Sequence, residues 1–186
     1  MTSPMYRALT VAGSDSSAGA GIQADLKTFA ALGVYGTSVI TAVTAQNTLG
    51  VIAVEPLVAD FVTAQIEAVA GDIDLHATKT GMLATAAIVE AVTAAIDELD
   101  LPKVVVDPVL VATSGDPLLD DDGVQVMRTE LLPRALGSSV RAVARCRAGL
   151  SHRNPLHDGR FFCVGATLLL EATVLRPLGA LLLQAT

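Results

Sequence analysis

The chain has 186 residues, 52% hydrophobic but only 3% aromatic, and a net charge of −7, which suits a single domain with a core of small Ala, Val and Leu side chains. No apolar stretch reaches the ~18 residues of a membrane span, and no basic segment followed by an apolar one opens the chain, so we expect neither membrane contact nor secretion. The two cysteines, Cys146 and Cys163, have neither disulfide nor metal-ligand spacing, which favours a cytoplasmic protein.

The amino-terminal segment predicts a strand, a glycine-rich turn and a helix. Residues 8–12 are apolar and partly β-branched, which indicates a buried strand ending at Gly13. Helical spacing begins at Ile22, and Asp25 lies off the apolar face of that helix. The free N–H groups at the helix start are expected to face the crevice beyond the strand, where open α/β sheets bind ligands.

Strands and helices continue to alternate up to about residue 134. Apolar, β-branched segments predict strands at 38–45, 52–56, 75–80 and 104–106. Helical spacing predicts helices at 60–70, 86–99 and 123–132, the first two with Asp60 and Thr85 as N-caps. This alternation is typical of an α/β fold with a mainly parallel sheet and helices on both faces.

Five segments of the chain occur in an order and spacing that resemble a known enzyme family. They are Gly-Ser-Asp-Ser-Ser-Ala-Gly-Ala-Gly-Ile-Gln-Ala-Asp-Leu-Lys-Thr at 13–28, Ser-Val-Ile-Thr-Ala-Val-Thr-Ala-Gln-Asn-Thr-Leu-Gly at 38–50, Lys-Thr-Gly-Met-Leu at 79–83, Val-Val-Asp-Pro-Val at 105–109 and Ser-Gly-Asp-Pro-Leu-Leu at 114–119. Over residues 9–134 the chain resembles the hydroxymethylpyrimidine and phosphomethylpyrimidine kinases of thiamine biosynthesis.

The resemblance implies a ribokinase-like fold and an ATP-dependent kinase reaction with Mg²⁺. The acceptor would be the hydroxymethyl oxygen of 4-amino-5-hydroxymethyl-2-methylpyrimidine, followed by the monophosphate. By position in the motifs, it also implies five substrate-binding residues: Gly13, Asp25, Gln46, Met82 and Val109. Asp25 would accept hydrogen bonds from the amino and hydroxyl groups, Gln46 would bind the ring-nitrogen edge, and Met82 and Val109 would contact the ring.

Asp107 follows the most apolar strand and precedes Pro108. Its expected role is electrostatic, near the phosphates and Mg²⁺, because phosphoryl transfer depends mainly on positioning and charge neutralisation. The alternative is a structural cap on the following loop. Lys79 is expected either to face the same crevice or to extend along the surface.

Residues 136–186 do not resemble the family. They contain six Arg, no Lys and two acidic residues, whereas residues 1–135 contain six Lys or Arg and 17 acidic residues. We therefore predict the amino-terminal part of a kinase domain at 1–135 and an altered or truncated carboxyl-terminal part. Such an Arg-rich, Lys-free composition is typical of an out-of-frame translation of GC-rich DNA, so we hypothesise a frame lost near Ala135. A genuine basic tail or a divergent lid is the alternative.

The family's catalytic loop, a Gly-Thr-Gly-Cys-Thr-like sequence that supplies an anion hole and a cysteine base, is missing, so no catalytic residue is identified and the activity of this chain stays open. Three alternatives are a pyridoxal kinase-like enzyme, a non-catalytic pyrimidine-binding module and a nucleic-acid binder acting through the Arg-rich tail. We favour a small-molecule partner without nucleic acid. Homo-oligomer formation is left open, because unpaired apolar strand edges favour association.

Overall fold

Short apolar strands pair into one sheet, and the segments between them form helices that pack on its two faces. The computed structural model describes residues 5–112 and 115–138, and among them the strands are β1 (Arg7–Asp15), β2 (Tyr35–Gln46), β3 (Val51–Pro56), β4 (Ala77–Thr80), β5 (Val104–Val106) and β6 (Gly137–Ser138). The helices are α1 (Gly21–Ala31), α2 (Ala59–Ala70), α3 (Ala86–Glu98) and α4 (Asp121–Val126), the last continued by a π-helical turn at Met127–Leu131 and a 3-10 turn at Leu132–Arg134.

The strand order is β3-β2-β1-β4-β5-β6. Strand β3 is antiparallel to β2, whereas every other described pair is parallel. The predicted mainly parallel sheet is therefore confirmed. Because parallel strands end at the same side, the carboxyl ends of β2, β1, β4 and β5 form one continuous edge.

Two clusters of buried side chains hold helices on opposite faces of the sheet. On one face, Val62 of α2 and Ile88 of α3 belong to the same apolar cluster as Leu9 and Val11 of β1. On the other face, Phe29 of α1 packs in a cluster with residues of β1, β4 and β5: Ala8, Ala77 and Val105. The expected helices on both faces are therefore confirmed, and alternate residues of one strand serve opposite cores.

Several predicted boundaries differ from the structure. Strand β1 runs on through Gly13 to Asp15 instead of ending at the first glycine. Asp60 is not the N-cap of α2, because the helix begins one residue earlier and the cap position is Val58. Helix α4 begins at Asp121, since the Asp120 side chain accepts a hydrogen bond from the Gly123 N–H.

The N-cap of α3 is confirmed, since the Thr85 side chain accepts a hydrogen bond from the Ile88 N–H at 3.3 Å. Near the predicted boundary at 135/136, the short strand β6 still pairs with β5, so the sheet continues to Ser138. Both cysteines and the rest of the predicted tail lie outside the described residues. Within the part of the chain that the structure describes, no helix is long and apolar enough to cross a membrane.

Candidate functional site

Four of the five predicted ligand-binding residues, Gly13, Gln46, Met82 and Val109, lie near or just beyond the carboxyl ends of the parallel strands. Two chain connections leave this edge in opposite directions. From β1 the chain passes through α1 to β2 on one side, whereas β4 continues through α3 to β5 on the other side. Helices α1 and α3 lie on opposite faces, so a crevice is expected between the ends of β1 and β4. Gly13 lies near the end of β1, and Met82 follows β4.

Gly13 and Met82 are in direct contact. A Cβ atom added to Gly13 would lie 2.6 Å from Met82 Cε, so a larger residue would require the end of the Met82 side chain to move. The Thr41 hydroxyl of β2 donates a hydrogen bond to the Met82 carbonyl oxygen at 2.6 Å and fixes the backbone after β4. The structure thus brings these two predicted residues together and places the flexible Met82 side chain over the strand end.

Asp25 lies in the core, not off the buried face of α1 as the sequence pattern predicts. It is fully buried, and its Oδ2 atom accepts hydrogen bonds from Thr10 Oγ1 at 2.6 Å and Lys79 Nζ at 2.8 Å. Lys79 is 1% exposed, so the surface alternative for this residue is wrong. Gly81 provides room for the ammonium group, because a Cβ there would lie 3.0 Å from Lys79 Nζ.

Gln46 ends β2 and is tied to the loop that follows β1. Its N–H donates to Ser16 Oγ at 2.8 Å, and the same hydroxyl donates to the Gln46 carbonyl oxygen at 2.7 Å. Thr44 Oγ1 lies 3.2 Å from Gln46 Oε1 and 3.0 Å from the carbonyl oxygen of Ser14. The Gln46 side chain is partly exposed at the edge, consistent with the predicted position beside the crevice.

Three backbone N–H groups of the loop before α1 already bind a carboxylate of the chain itself. The buried Asp15 carboxylate accepts hydrogen bonds from the backbone N–H groups of Ser17, Gly19 and Ala20 at 2.8–2.9 Å, and from the Ser17 hydroxyl. Burial alone would raise the pKa of Asp15, but these hydrogen bonds outweigh it and lower the pKa below its ordinary value. The loop therefore carries its own anion.

Sequence reasoning missed Asp15 and Gln23 as organising residues of this loop. The Gln23 side chain accepts from the Asp15 N–H at 2.8 Å and donates to Ser14 Oγ at 2.7 Å. An aspartate followed by serines and glycines is the usual signature of a side chain that binds nearby backbone N–H groups. This pattern could have predicted the role of Asp15. No neighbouring residue in the sequence indicates the role of Gln23.

Asp107 and Val109 follow β5 at the same edge. Asp107 is fully buried, its N–H donates to the carbonyl oxygen of Thr80, and the Val109 N–H donates to the Asp107 carbonyl oxygen at 2.8 Å. Val109 is partly exposed. Within residues 5–112 and 115–138, no group of three His, Cys, Asp or Glu side chains could hold a metal ion.

Comparisons with known proteins show the family of the chain. The family model for phosphomethylpyrimidine kinase matches residues 15–136. A hydroxymethylpyrimidine/phosphomethylpyrimidine kinase from Rhizobium meliloti is 57% identical over 129 residues, which are 69% of this chain and 48% of that protein. The chain thus spans about half the length of the relatives it matches.

Solved structures show the same fold. The crystal structure of phosphomethylpyrimidine kinase from Clostridium difficile 630 has a TM-score of 0.72 and 38% identity, with 92% of this chain and 71% of that chain covered. Pyridoxal kinase from Staphylococcus aureus in complex with ADP has a TM-score of 0.68 and 35% identity, with coverages of 82% and 56%. The chain therefore belongs to the phosphomethylpyrimidine kinase family and has a ribokinase-like α/β fold.

Proposed function

We propose that this chain supplies the substrate half of a hydroxymethylpyrimidine/phosphomethylpyrimidine kinase. The bound substrate is 4-amino-5-hydroxymethyl-2-methylpyrimidine or its monophosphate, and the complete reaction transfers the γ-phosphoryl group of ATP to it. One observation carries the proposal. Gly13, Gln46, Met82 and Val109, taken from four separate segments, converge on one sheet edge. Of these, Gln46, Met82 and Val109 lie within residues 15–136, which match the family model.

The chemistry of these side chains suits a small aromatic ring with a polar edge. The Gln46 amide offers a donor and an acceptor to adjacent ring and amino nitrogens. The Met82 thioether and the Val109 side chain offer apolar contacts to the ring face and methyl group. Asp25 is proposed as the acceptor for the amino and hydroxymethyl groups, which requires its carboxylate to become accessible when the ligand enters.

ATP is proposed as the phosphoryl donor, supported by the family and by the related kinase solved with ADP. Mg²⁺ in such enzymes is bound by one or two carboxylates together with substrate phosphates. The described residues do not form a magnesium site by themselves, because Asp107 is fully buried and belongs to no metal-binding cluster within them. Asp107 is proposed as an electrostatic residue near the phosphates.

Calorimetry with the 186-residue chain tests the proposal. We expect the pyrimidine to bind, and we expect Gln46→Ala to weaken binding by about tenfold, because the loss of a ligand hydrogen bond costs about 0.5–1.5 kcal/mol. The exposed Thr48→Ala variant is the matched control. The absence of binding heat with the wild-type chain would overturn the proposal. Binding without ATP-dependent phosphorylation would instead identify a non-catalytic pyrimidine-binding module.

Pyridoxal is the second candidate substrate. The structural likeness to Staphylococcus aureus pyridoxal kinase, with a TM-score of 0.68 and 35% identity, favours it, and pyridoxal also carries a hydroxymethyl group. A competition titration distinguishes the two ligands. If pyridoxal displaces the pyrimidine at equal concentration, the pyridoxal kinase-like function is supported; if a large excess is needed, the pyrimidine is the preferred substrate.

A further inference from the structure

The Ser16 hydroxyl connects two segments whose backbones no longer pair. The parallel register of β1 with β2 ends at Asp15 and Thr44, after which the chain turns into the glycine-rich loop. Gln46 lies two residues beyond that last pair, and Ser16 Oγ both accepts from its N–H and donates to its carbonyl oxygen. The Ser16 hydroxyl thus makes the two hydrogen bonds to the Gln46 backbone that a continued β1 strand would have made.

The contact with Ser16 restricts the backbone of Gln46, and through it the position of the Gln46 side chain. The two hydrogen bonds, at 2.7 and 2.8 Å, hold both polar backbone atoms of Gln46 against the loop. Thr44 Oγ1 lies within hydrogen-bond distance of both the Gln46 amide oxygen and the Ser14 carbonyl oxygen, so the amide is also held close to the loop. A side chain restricted in this way loses less conformational entropy when it binds a ligand.

The loop is also held by contacts that do not involve the Ser16 side chain. The Asp15 carboxylate independently binds the backbone of Ser17, Gly19 and Ala20. Ser16 itself is exposed and fills no core position. Removal of its hydroxyl is therefore expected to release Gln46 while the loop and the core stay folded.

We propose that Ser16 is a positioning residue of the substrate site, acting on the ligand through Gln46. This inference rests on the proposed function in one respect, namely that Gln46 binds the pyrimidine. Its structural part, that the Ser16 hydroxyl holds the backbone of Gln46 in place, is measurable without any ligand.

The experiment compares Ser16→Ala with the hydroxyl-retaining variant Ser16→Thr in the full chain. Hydrogen exchange of the Gln46 amide is measured by NMR, and the Kd for 4-amino-5-hydroxymethyl-2-methylpyrimidine by calorimetry. We expect Ser16→Ala to accelerate the exchange and to raise the Kd about tenfold, because two hydrogen bonds to Gln46 are lost. Ser16→Thr is expected to restore both quantities toward the wild-type values, which a merely structural role would not require.

Thr48→Ala, an exposed hydroxyl removal near the same edge, is the control and should change neither quantity. If Gln46 exchange is unchanged in Ser16→Ala, the inference is wrong whether or not a ligand binds. If exchange accelerates but the Kd stays at the wild-type value, positioning is wrong while the proposed function stands. If the wild-type chain binds no pyrimidine, the proposed function fails and the role of Ser16 in ligand binding fails with it.

Discussion

At the scale of single residues, Asp25 of α1 and Lys79 of β4 form an ion pair inside the core. The two side chains are 0% and 2% exposed, and each would lose hydration on burial. The 2.8 Å contact between them, together with the Thr10 hydroxyl on the same carboxylate oxygen, compensates for that loss. The pair also connects α1 to β4 across the face that Phe29 covers.

Loss of the ammonium group is expected to destabilise the whole chain. Lys79→Met leaves the Asp25 carboxylate buried beside an apolar side chain, so we expect the free energy of unfolding to fall by about 3–5 kcal/mol. Urea denaturation followed by circular dichroism measures it. The matched control is Lys27→Met, because Lys27 is exposed and makes one hydrogen bond, to the Ala18 carbonyl oxygen.

The double variant Asp25→Leu/Lys79→Met separates the charge effect from packing. We expect it to be more stable than Lys79→Met alone, since no carboxylate is then buried without its cation. A Lys79→Met midpoint equal to that of the Lys27→Met control would show that the ion pair is not needed for the core.

At the scale of elements, the turn from β1 into α1 combines a strained backbone with its own bound carboxylate. Ala18 and Gly21 both have positive φ, at 60° and 57°. The Asp15 carboxylate accepts hydrogen bonds from the backbone N–H groups of Ser17, Gly19 and Ala20 in this turn. The chain can therefore reverse direction in a few residues and bring the start of α1 back against Gly13.

Gly21→Ala and Gly33→Ala form a matched pair that separates backbone strain from steric overlap. Both glycines have positive φ, 57° and 71°, but a Cβ on Gly21 would overlap the Gly13 carbonyl oxygen, whereas nothing lies within 4 Å of one on Gly33. We expect Gly33→Ala to cost about 1–2 kcal/mol for the left-handed conformation. Gly21→Ala should cost a further 1–3 kcal/mol, roughly, from overpacking. Equal denaturation midpoints for the two variants would contradict the close approach of Gly21 to Gly13.

The Asp15 turn predicts a particular pH dependence of stability. Since the folded-state pKa is lowered relative to the unfolded chain, ionised Asp15 contributes stability above the unfolded pKa of about 3.9. That contribution is lost as the pH falls from about 5 through the lower folded pKa.

Asp15→Asn isolates this contribution, because the amide cannot ionise. We expect the difference in unfolding free energy between wild type and Asp15→Asn to be constant from about pH 7 to pH 5 and to shrink below about pH 4. Guanidinium titrations at each pH measure the difference. A difference that grows toward low pH would have the opposite sign and would exclude a lowered pKa.

At the scale of the whole molecule, strand order decides where the site lies. The chain fills the sheet outward from β1 in both directions, so its first glycine-rich turn lies near the middle, between β2 and β4. Segments far apart in sequence, such as residues 13–28 and 79–83, therefore meet at one edge. The family model matches residues 15–136, which include the ends of β2, β4 and β5 at this edge and begin at Asp15, the last residue of β1.

Hydrophobic periodicity and motif order by themselves determined the fold class, most element positions and the family, because these depend on local spacing and on short segments in a fixed order. The Thr85 cap and the buried strand at 104–106 are examples. Only the tertiary structure decided the partner of each polar residue. Asp25 and Lys79 are 54 positions apart and Ser16 and Gln46 are 30 apart, and such pairing depends on sheet order and register. The same reason explains the Asp25 error, since a carboxylate can be buried only where the fold brings a cation to it.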